Sequence, residues 1–122
     1  MTESILISIK KLLGIDVDYR HFDPDIILHI NSALAVLTQL GAGPENGFGI
    51  ADDTATWQDF LGEGNINFDG IKSYVYLKVR LLFDPPASSA VLDSMNRLIN
   101  EFEWRINAAA ETEKPAPKTE SI

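Results

Sequence analysis

The chain has 122 residues, of which 45% are apolar and 23% are charged, the composition of an ordinary single globular domain. It contains no cysteine, which excludes disulfide frameworks and thiolate metal sites, and no apolar stretch approaches the length that spans a bilayer. Its formal net charge is −8 at pH 7, and the clustered basic face with which proteins neutralise duplex DNA is missing.

The net charge is concentrated in the middle of the chain. Between His21 and Ile71 there is no lysine or arginine. The acids of this middle segment are Asp23, Asp25, Glu45, Asp52, Asp53, Asp59, Glu63 and Asp69. The other ten acids of the chain are matched by its ten bases. The segment is interpreted either as a solvated acidic surface or as a surface that repels or mimics nucleic acid.

The first part of the sequence predicts two helices. Residues 4–13 place their isoleucines and leucines on one face and are followed by Gly14 as a stop. Asp23 is predicted to cap the second helix, with Pro24 at its first position and Gly41 after its end. The apolar stripe of this helix is predicted to comprise Ile26, Ile27, Leu28, Ile30, Ala33, Leu34, Leu37 and Leu40.

Two glycine-containing loops flank a short helix in the middle of the chain. Residues 41–49 and 62–67 read as loops by composition, and the first lacks the Gly-Lys-Ser/Thr ending of a phosphate cradle. Asp52 or Asp53 is predicted to cap a short helix that carries Trp57 and Phe60 and ends at Gly62.

Residues 71–86 form the most apolar stretch, and their periodicity is ambiguous. Val75, Leu77 and Val79 alternate with more polar residues, as in a strand. However, Asp69 can cap a helix, and no second strand is available to satisfy the backbone of an isolated one. We therefore predict a helix that ends at Asp84-Pro85-Pro86.

The last predicted helix is the longest. Ser88 or Ser89 can cap it, and it is predicted to run to about Ala110. Its buried stripe is predicted to contain Val91, Met95, Leu98, Ile99, Phe102 and Ile106. We expect an all-α domain of four to five helices over residues 1–110, with a flexible tail over residues 111–122.

No residue pattern predicts catalysis or a bound cofactor or metal. His21 and His29 are eight residues apart and belong to no metal-binding helix motif. The carboxylate pairs Asp52/Asp53 and Glu101/Glu103 lack an apolar setting that would separate their pKa values for acid–base work. We therefore expect a protein that is not an enzyme.

Several large or basic side chains are candidates for contacts with other subunits. The helical period places Trp104 opposite the apolar stripe of the last helix, on the face that carries Arg97. Trp104 is interpreted either as folding over a neighbouring helix or as an interface anchor, since exposed tryptophan and arginine are typical of interface hot spots. The complete set of interface candidates is Tyr74, Tyr76, Arg80, Arg97, Trp104 and Arg105.

Two stretches, residues 71–86 (IKSYVYLKVRLLFDPP) and 100–105 (NEFEWR), resemble the head-tail connector, or adaptor, proteins of long-tailed bacteriophages. The resemblance extends over roughly residues 3–108. It implies an all-helical, non-enzymatic subunit of a ring, usually dodecameric, beneath the portal protein, with its C-terminal part on the portal. Such a ring lies at the head–tail junction of the virion, after synthesis in the host bacterial cytoplasm, and receives a head-closure or tail-completion protein.

The acidic segment would suit the wall of the DNA channel that such a ring extends, because like charge keeps double-stranded DNA from adhering. The candidate channel-lining residues are Glu45, Asp52, Asp53, Asp59 and Glu63. The alternative function is a small acidic inhibitor that mimics DNA and blocks a DNA-binding protein.

Overall fold

The computed structural model describes residues 2–63 and 68–113. The structure is 66% helical, and the described residues form five helices without a strand, so the all-α prediction is confirmed. The helices are α1 (Ile5–Leu13), α2 (Asp23–Gln39), α3 (Trp57–Leu61), α4 (Phe68–Phe83) and α5 (Ser89–Glu113). Across the described ranges, no helix is long and apolar enough to cross a membrane.

Helix α4 is the central element of the bundle. It packs most extensively against α2, next against α5, and also against α1. Ile71, Tyr74, Val75 and Val79 are fully buried, and their spacing of three and four residues is the helical period. The helical prediction for this segment is therefore confirmed. The alternation of Val75, Leu77 and Val79 with more polar residues does not correspond to a strand.

Helix α1 has the predicted ends. The Ser4 hydroxyl accepts a hydrogen bond from the Ile7 amide at 3.2 Å, and Gly14 terminates the helix with a φ of +79°. Ile5, Leu6 and Ile9 are buried against the rest of the bundle.

Helix α2 begins differently from the prediction. Its N-cap is Phe22, which makes no side-chain capping bond, and Asp23 is already the first helical residue. The Asp23 carboxylate is instead drawn to the buried ammonium of Lys10, with an Nζ–Oδ1 distance of 2.9 Å. Pro24 consequently occupies the second helical position, one residue later than predicted. The apolar stripe is narrower than predicted, because Leu28 is 62% exposed.

The segment before α3 is fastened to α1 and α2. The Asn31 amide donates to the Ile50 carbonyl at 3.0 Å and accepts from the Ile50 amide at 2.7 Å. The Ile5 amide donates to the Ala55 carbonyl at 3.0 Å. Trp57 is fully buried, and its Nε1–H donates to the Ser8 hydroxyl at 2.8 Å. This region is therefore an integral part of the core.

The cap of α3 was predicted wrongly. Thr56, rather than Asp52 or Asp53, is the N-cap, and it forms a reciprocal capping box with Asp59. Asp52 instead accepts hydrogen bonds from the backbone amide and the hydroxyl of Thr54.

The junction of α4 and α5 follows the prediction closely. Helix α4 ends immediately before the Asp-Pro-Pro turn, as predicted. Its start differs from the prediction, because α4 already includes Phe68, so Asp69 lies in the first turn and is not the cap. The Ser88 hydroxyl accepts from the Val91 amide at 3.4 Å, which identifies Ser88 as the capping side chain. Most of the predicted loop at residues 62–67 lies outside the described residues.

Helix α5 is longer at its end and narrower in its buried stripe than predicted. It continues to Glu113, three residues beyond Ala110, and the rest of the predicted tail lies outside the described residues. Met95, Ile99 and Ile106 are buried, but Val91 and Leu98 are 47% and 44% exposed. The first half of α5 therefore packs on the bundle through few buried side chains, chiefly Met95 and Ile99.

Candidate functional site

The outer face of α5 is the most prominent candidate contact surface. Trp104 is 72% exposed and continues a row of polar side chains spaced three or four residues apart on the helix. A shallow groove of about 390 Å³ runs along this row and is lined by Asp93, Asn96, Arg97 and Asn100. The predicted placement of Trp104 and Arg97 on one outward face agrees with the structure.

Tyr74 does not belong to an exposed surface. Its ring is fully buried, and its hydroxyl donates to Oε2 of Glu103 at 2.7 Å, which links α4 to α5. Burial, together with this hydrogen bond, raises the pKa of Tyr74 well above its ordinary value. The expectation that Tyr74 faces a neighbouring subunit is corrected, because its side chain is needed inside its own bundle.

Tyr76, Arg80 and Arg105 are engaged within the subunit. Nη1 of Arg80 donates to the Tyr76 hydroxyl at 3.1 Å, and this contact raises the pKa of Arg80. Arg105 forms an ion pair with Glu101 one turn earlier on α5. Each of these side chains therefore has at least one partner inside its own subunit.

Arg97 differs from the other arginines in the described part of the chain. Arg20 pairs with Asp23 and Asp53, whereas Arg97 has no ion-pair or hydrogen-bond partner within the described ranges. Lys11 and Lys78 are the other bases of these ranges without such a partner. The outer face of α5 therefore combines an available guanidinium with the most exposed indole.

The five candidate channel-lining acids differ in their exposure and in their hydrogen-bond partners. Glu45, Asp52 and Glu63 are exposed. Asp53 accepts a hydrogen bond from Nη2 of Arg20 at 3.2 Å, and Asp59 is used in the capping box of α3. Hydrogen bonds from Thr54 lower the pKa of Asp52, so its charge persists to a lower pH. Among the acids of the middle segment, Asp23 and Asp53 pair with Lys10 and Arg20, two bases that precede the segment.

The junction of α1 and α2 contains a buried charge that the sequence interpretation missed. Lys10 is 1% exposed, and its Nζ donates to the carbonyls of Val17 at 3.0 Å and Tyr19 at 2.8 Å, beside the Asp23 carboxylate. The sequence could have indicated this burial, because the helical period places Lys10 on the same face as the apolar Leu6.

An aromatic groove lies next to this junction. It is open, has a volume of about 590 Å³, and is lined in part by Asp16, Asp18, Tyr19 and Phe22. The His21 ring packs against Tyr19 and Phe22, with ring centres 6.1 and 5.0 Å away. Among the residues that the structure describes, no three histidine, cysteine or acidic side chains are grouped in a way that could hold a metal ion.

Within the described residues, these features define an all-α domain with several large apolar side chains exposed on its surface. A family model described as phage connector protein matches residues 5–113, so the chain belongs to this family and has a structural connector role in bacteriophages. Comparison with curated proteins and with solved structures found no match.

Proposed function

We propose that the chain is the subunit of a closed ring, a dodecamer, that docks beneath the portal protein at the head–tail junction of the virion. The observation that carries the proposal is the connector-family match over residues 5–113. In this role the protein joins head to tail mechanically and catalyses no reaction. It is made in the host bacterial cytoplasm and becomes part of the virion on assembly.

Exposed apolar side chains support assembly into a ring. Trp104, Leu28 and Leu82 are each more than half exposed in the single subunit. A subunit of a closed ring presents two different surfaces to its two neighbours, so residues of this kind are expected on more than one side. Burial of such residues at the core of a contact stabilises association.

The exposed acids of the middle segment support a role in a DNA channel. Glu45, Asp52 and Glu63 are exposed, and a ring repeats their charges in every subunit. A channel wall of like charge repels the phosphates of passing DNA and prevents specific or lasting binding. We assign these three to the wall, with Asp53 and Asp59 nearby but already engaged.

The two ends of the ring have different partners in this proposal. The end of α5 and the residues after Ala110 contact the portal, and the opposite end of the ring receives the head-closure or tail-completion protein. The length of α5 supports this assignment, since its 25 residues exceed the 16 of α4 and extend the chain beyond the central helix.

Portal docking is tested by co-sedimentation of the purified chain with portal rings from the same phage. The proposal predicts that the chain sediments with the portal at equal numbers of subunits. Replacement of residues 111–122 by a glycine-serine sequence of the same length is expected to abolish this binding. A chain that stays at the top of the gradient in both cases would contradict the proposal.

The channel assignment is tested by charge reversal and an electrophoretic DNA-retention assay. Assembled rings carrying Glu45→Lys, Asp52→Lys and Glu63→Lys are expected to retain linear duplex DNA at low salt, whereas wild-type rings are not. The matched control reverses Asp16, Asp18 and Asp84, which are also exposed but lie outside the middle segment. Equal DNA retention by the two triple variants would rule out a special position for the middle segment.

A further inference from the structure

Helices α2 and α5 each present an exposed face. Helices α2 and α5 both pack on α4, and the faces they turn away from it are solvent-exposed. On α2 the exposed row is Asp25, Leu28, Ser32, Ala35 and Gln39. On α5 it contains Arg97, Asn100 and Trp104. A heterologous ring contact needs two such different surfaces on one subunit.

The two helices run in the same direction. The Asn107 side chain of α5 donates to the Leu40 carbonyl at the end of α2, at 3.2 Å. A Cβ added to Gly41 would lie 2.7 Å from Cβ of Ala110. Both C-terminal ends therefore lie at one end of the bundle. In a ring whose axis runs along these helices, rotation brings α5 of one subunit alongside α2 of the next without reversing either helix.

The chemistry of the two rows is complementary. Arg97 has no partner within the described residues, and neither does Asp25, which is exposed in the first turn of α2. Trp104 and Leu28 are 72% and 62% exposed, the highest values among the exposed large apolar residues. Ser32 and Ala35 are small, so the α2 face leaves room beside Leu28 for an indole.

The spacing of the paired groups also matches. Arg97 and Trp104 are seven residues apart, and so are Asp25 and Ser32. Seven residues of α-helix span about 10.5 Å and return to nearly the same face. When parallel helices place Arg97 opposite Asp25, Trp104 therefore lies opposite Ser32, between Leu28 and Ala35.

We infer that the ring contact is formed by the outer face of α5 in one subunit and the outer face of α2 in the next copy of this chain. Arg97 pairs with Asp25, and Trp104 packs on Leu28 and Ala35. The inference rests on the proposed ring, for which it names the subunit interface. The contact also sets a base of one copy against an acid of the next, which favours this pairing between subunits whose net charge is −8.

The test is a charge exchange in the full-length chain, with the fraction of ring measured by native mass spectrometry, alone and on purified portal rings. Arg97→Glu and Asp25→Arg are each expected to raise the subunit concentration for half-assembly by about tenfold or more. The double variant carrying both changes is expected to recover most of the loss, since the pair is restored with reversed polarity. Trp104→Ala and Leu28→Ala are expected to weaken assembly similarly.

Matched controls change the same residue types elsewhere. Lys11→Glu reverses another base without a partner in the described part of the chain, and Leu12→Ala shortens another exposed leucine. Both are expected to assemble like the wild type, and thermal unfolding is measured for every variant to confirm folding.

The results of these experiments distinguish a wrong interface from a wrong ring proposal. If wild-type rings form but Arg97→Glu and Trp104→Ala assemble equally well, or if the double variant shows no recovery, the interface is elsewhere and the ring proposal stands. If the wild-type chain forms no ring, either alone or on the portal, the ring and this interface both fail.

Discussion

The ammonium of Lys10 holds the junction of α1 and α2 together. It bonds two carbonyls of the connecting segment and lies 2.9 Å from the carboxylate of Asp23, which is itself nearly buried. Arg20 approaches the same carboxylate from the solvent side, at 3.6 Å. Removing the ammonium leaves a buried carboxylate and two carbonyls with fewer partners.

Lys10→Met is therefore expected to lower the free energy of unfolding by about 3–5 kcal/mol, the usual cost of breaking a buried ion pair from one side. The measurement is urea denaturation at neutral pH, with Lys11→Met as the control because Lys11 is exposed on the same helix. Equal stability of the two variants would show that the Lys10 contacts contribute nothing.

Tyr74 makes the free energy of unfolding depend on pH in the alkaline range. Its folded-state pKa is raised above the ordinary value of about 10, so the folded chain holds the phenolic proton more tightly than the unfolded chain. The resulting stabilisation is complete below pH 10 or so and is lost as the pH rises further.

Tyr74→Phe is expected to make the free energy of unfolding less steep between about pH 10 and 11. At neutral pH the same change removes the hydrogen bond to Glu103 and is expected to cost about 1–3 kcal/mol. Denaturation at a series of pH values checks both effects. The exposed Tyr19 supplies the control, and the prediction fails if Tyr19→Phe and Tyr74→Phe change the slope equally.

At the scale of the elements, the loop after α2 passes close to the core. Gly43 has a φ of +76°, and a Cβ there would lie 2.3 Å from Cε1 of Phe60. Gly47 in the same loop has a φ of +92°, but nothing lies within 4 Å of the equivalent position. The two glycines therefore share a backbone requirement and differ in packing.

Gly47→Ala is expected to cost about 1–2 kcal/mol, from the left-handed backbone alone. Gly43→Ala is expected to cost about 1–3 kcal/mol more, because the added methyl group displaces the buried Phe60 ring. Thermal unfolding of the two variants measures the difference. Equal melting temperatures would contradict the predicted contact with Phe60.

The positions and types of the elements could be predicted from local patterns. In helices α1, α2 and α5, apolar residues recur at helical spacing. The Asp-Pro-Pro turn ends α4 where the sequence indicates. The residues that cap helices could not all be predicted, since Asp23 is drawn to Lys10 of another helix and Thr56 outcompetes two nearby aspartates. These choices depend on tertiary contacts that a local pattern does not contain.

The candidate surfaces were predictable to a similar degree. The helical period placed Trp104 and Arg97 on an outward face, because that inference needs only the apolar stripe of one helix. It could not identify Tyr74 as an internal link, since the partner, Glu103, lies 29 residues away on α5. Nor could it show that Arg20 neutralises Asp53 in the acidic segment.

At the scale of the whole molecule, mutations in the core and mutations on the surface are expected to have different effects. The core is closed by α4, by the buried Trp57 and by the Lys10 junction, and mutations there are expected to act on folding. Trp104, Arg97 and Leu28 contribute little to the core, and mutations there are expected to act on assembly. Separate measurements of melting temperature and assembly distinguish the two groups of residues.

The central claim is that this chain assembles into a ring on the portal of its phage. The most direct test is electron microscopy of the full-length chain mixed with purified portal rings, with two-dimensional class averages along and across the ring axis. One additional closed ring is expected beneath each portal, on the same axis and with an open central channel. Portal rings without added density, together with a chain that remains monomeric at high concentration, would contradict it.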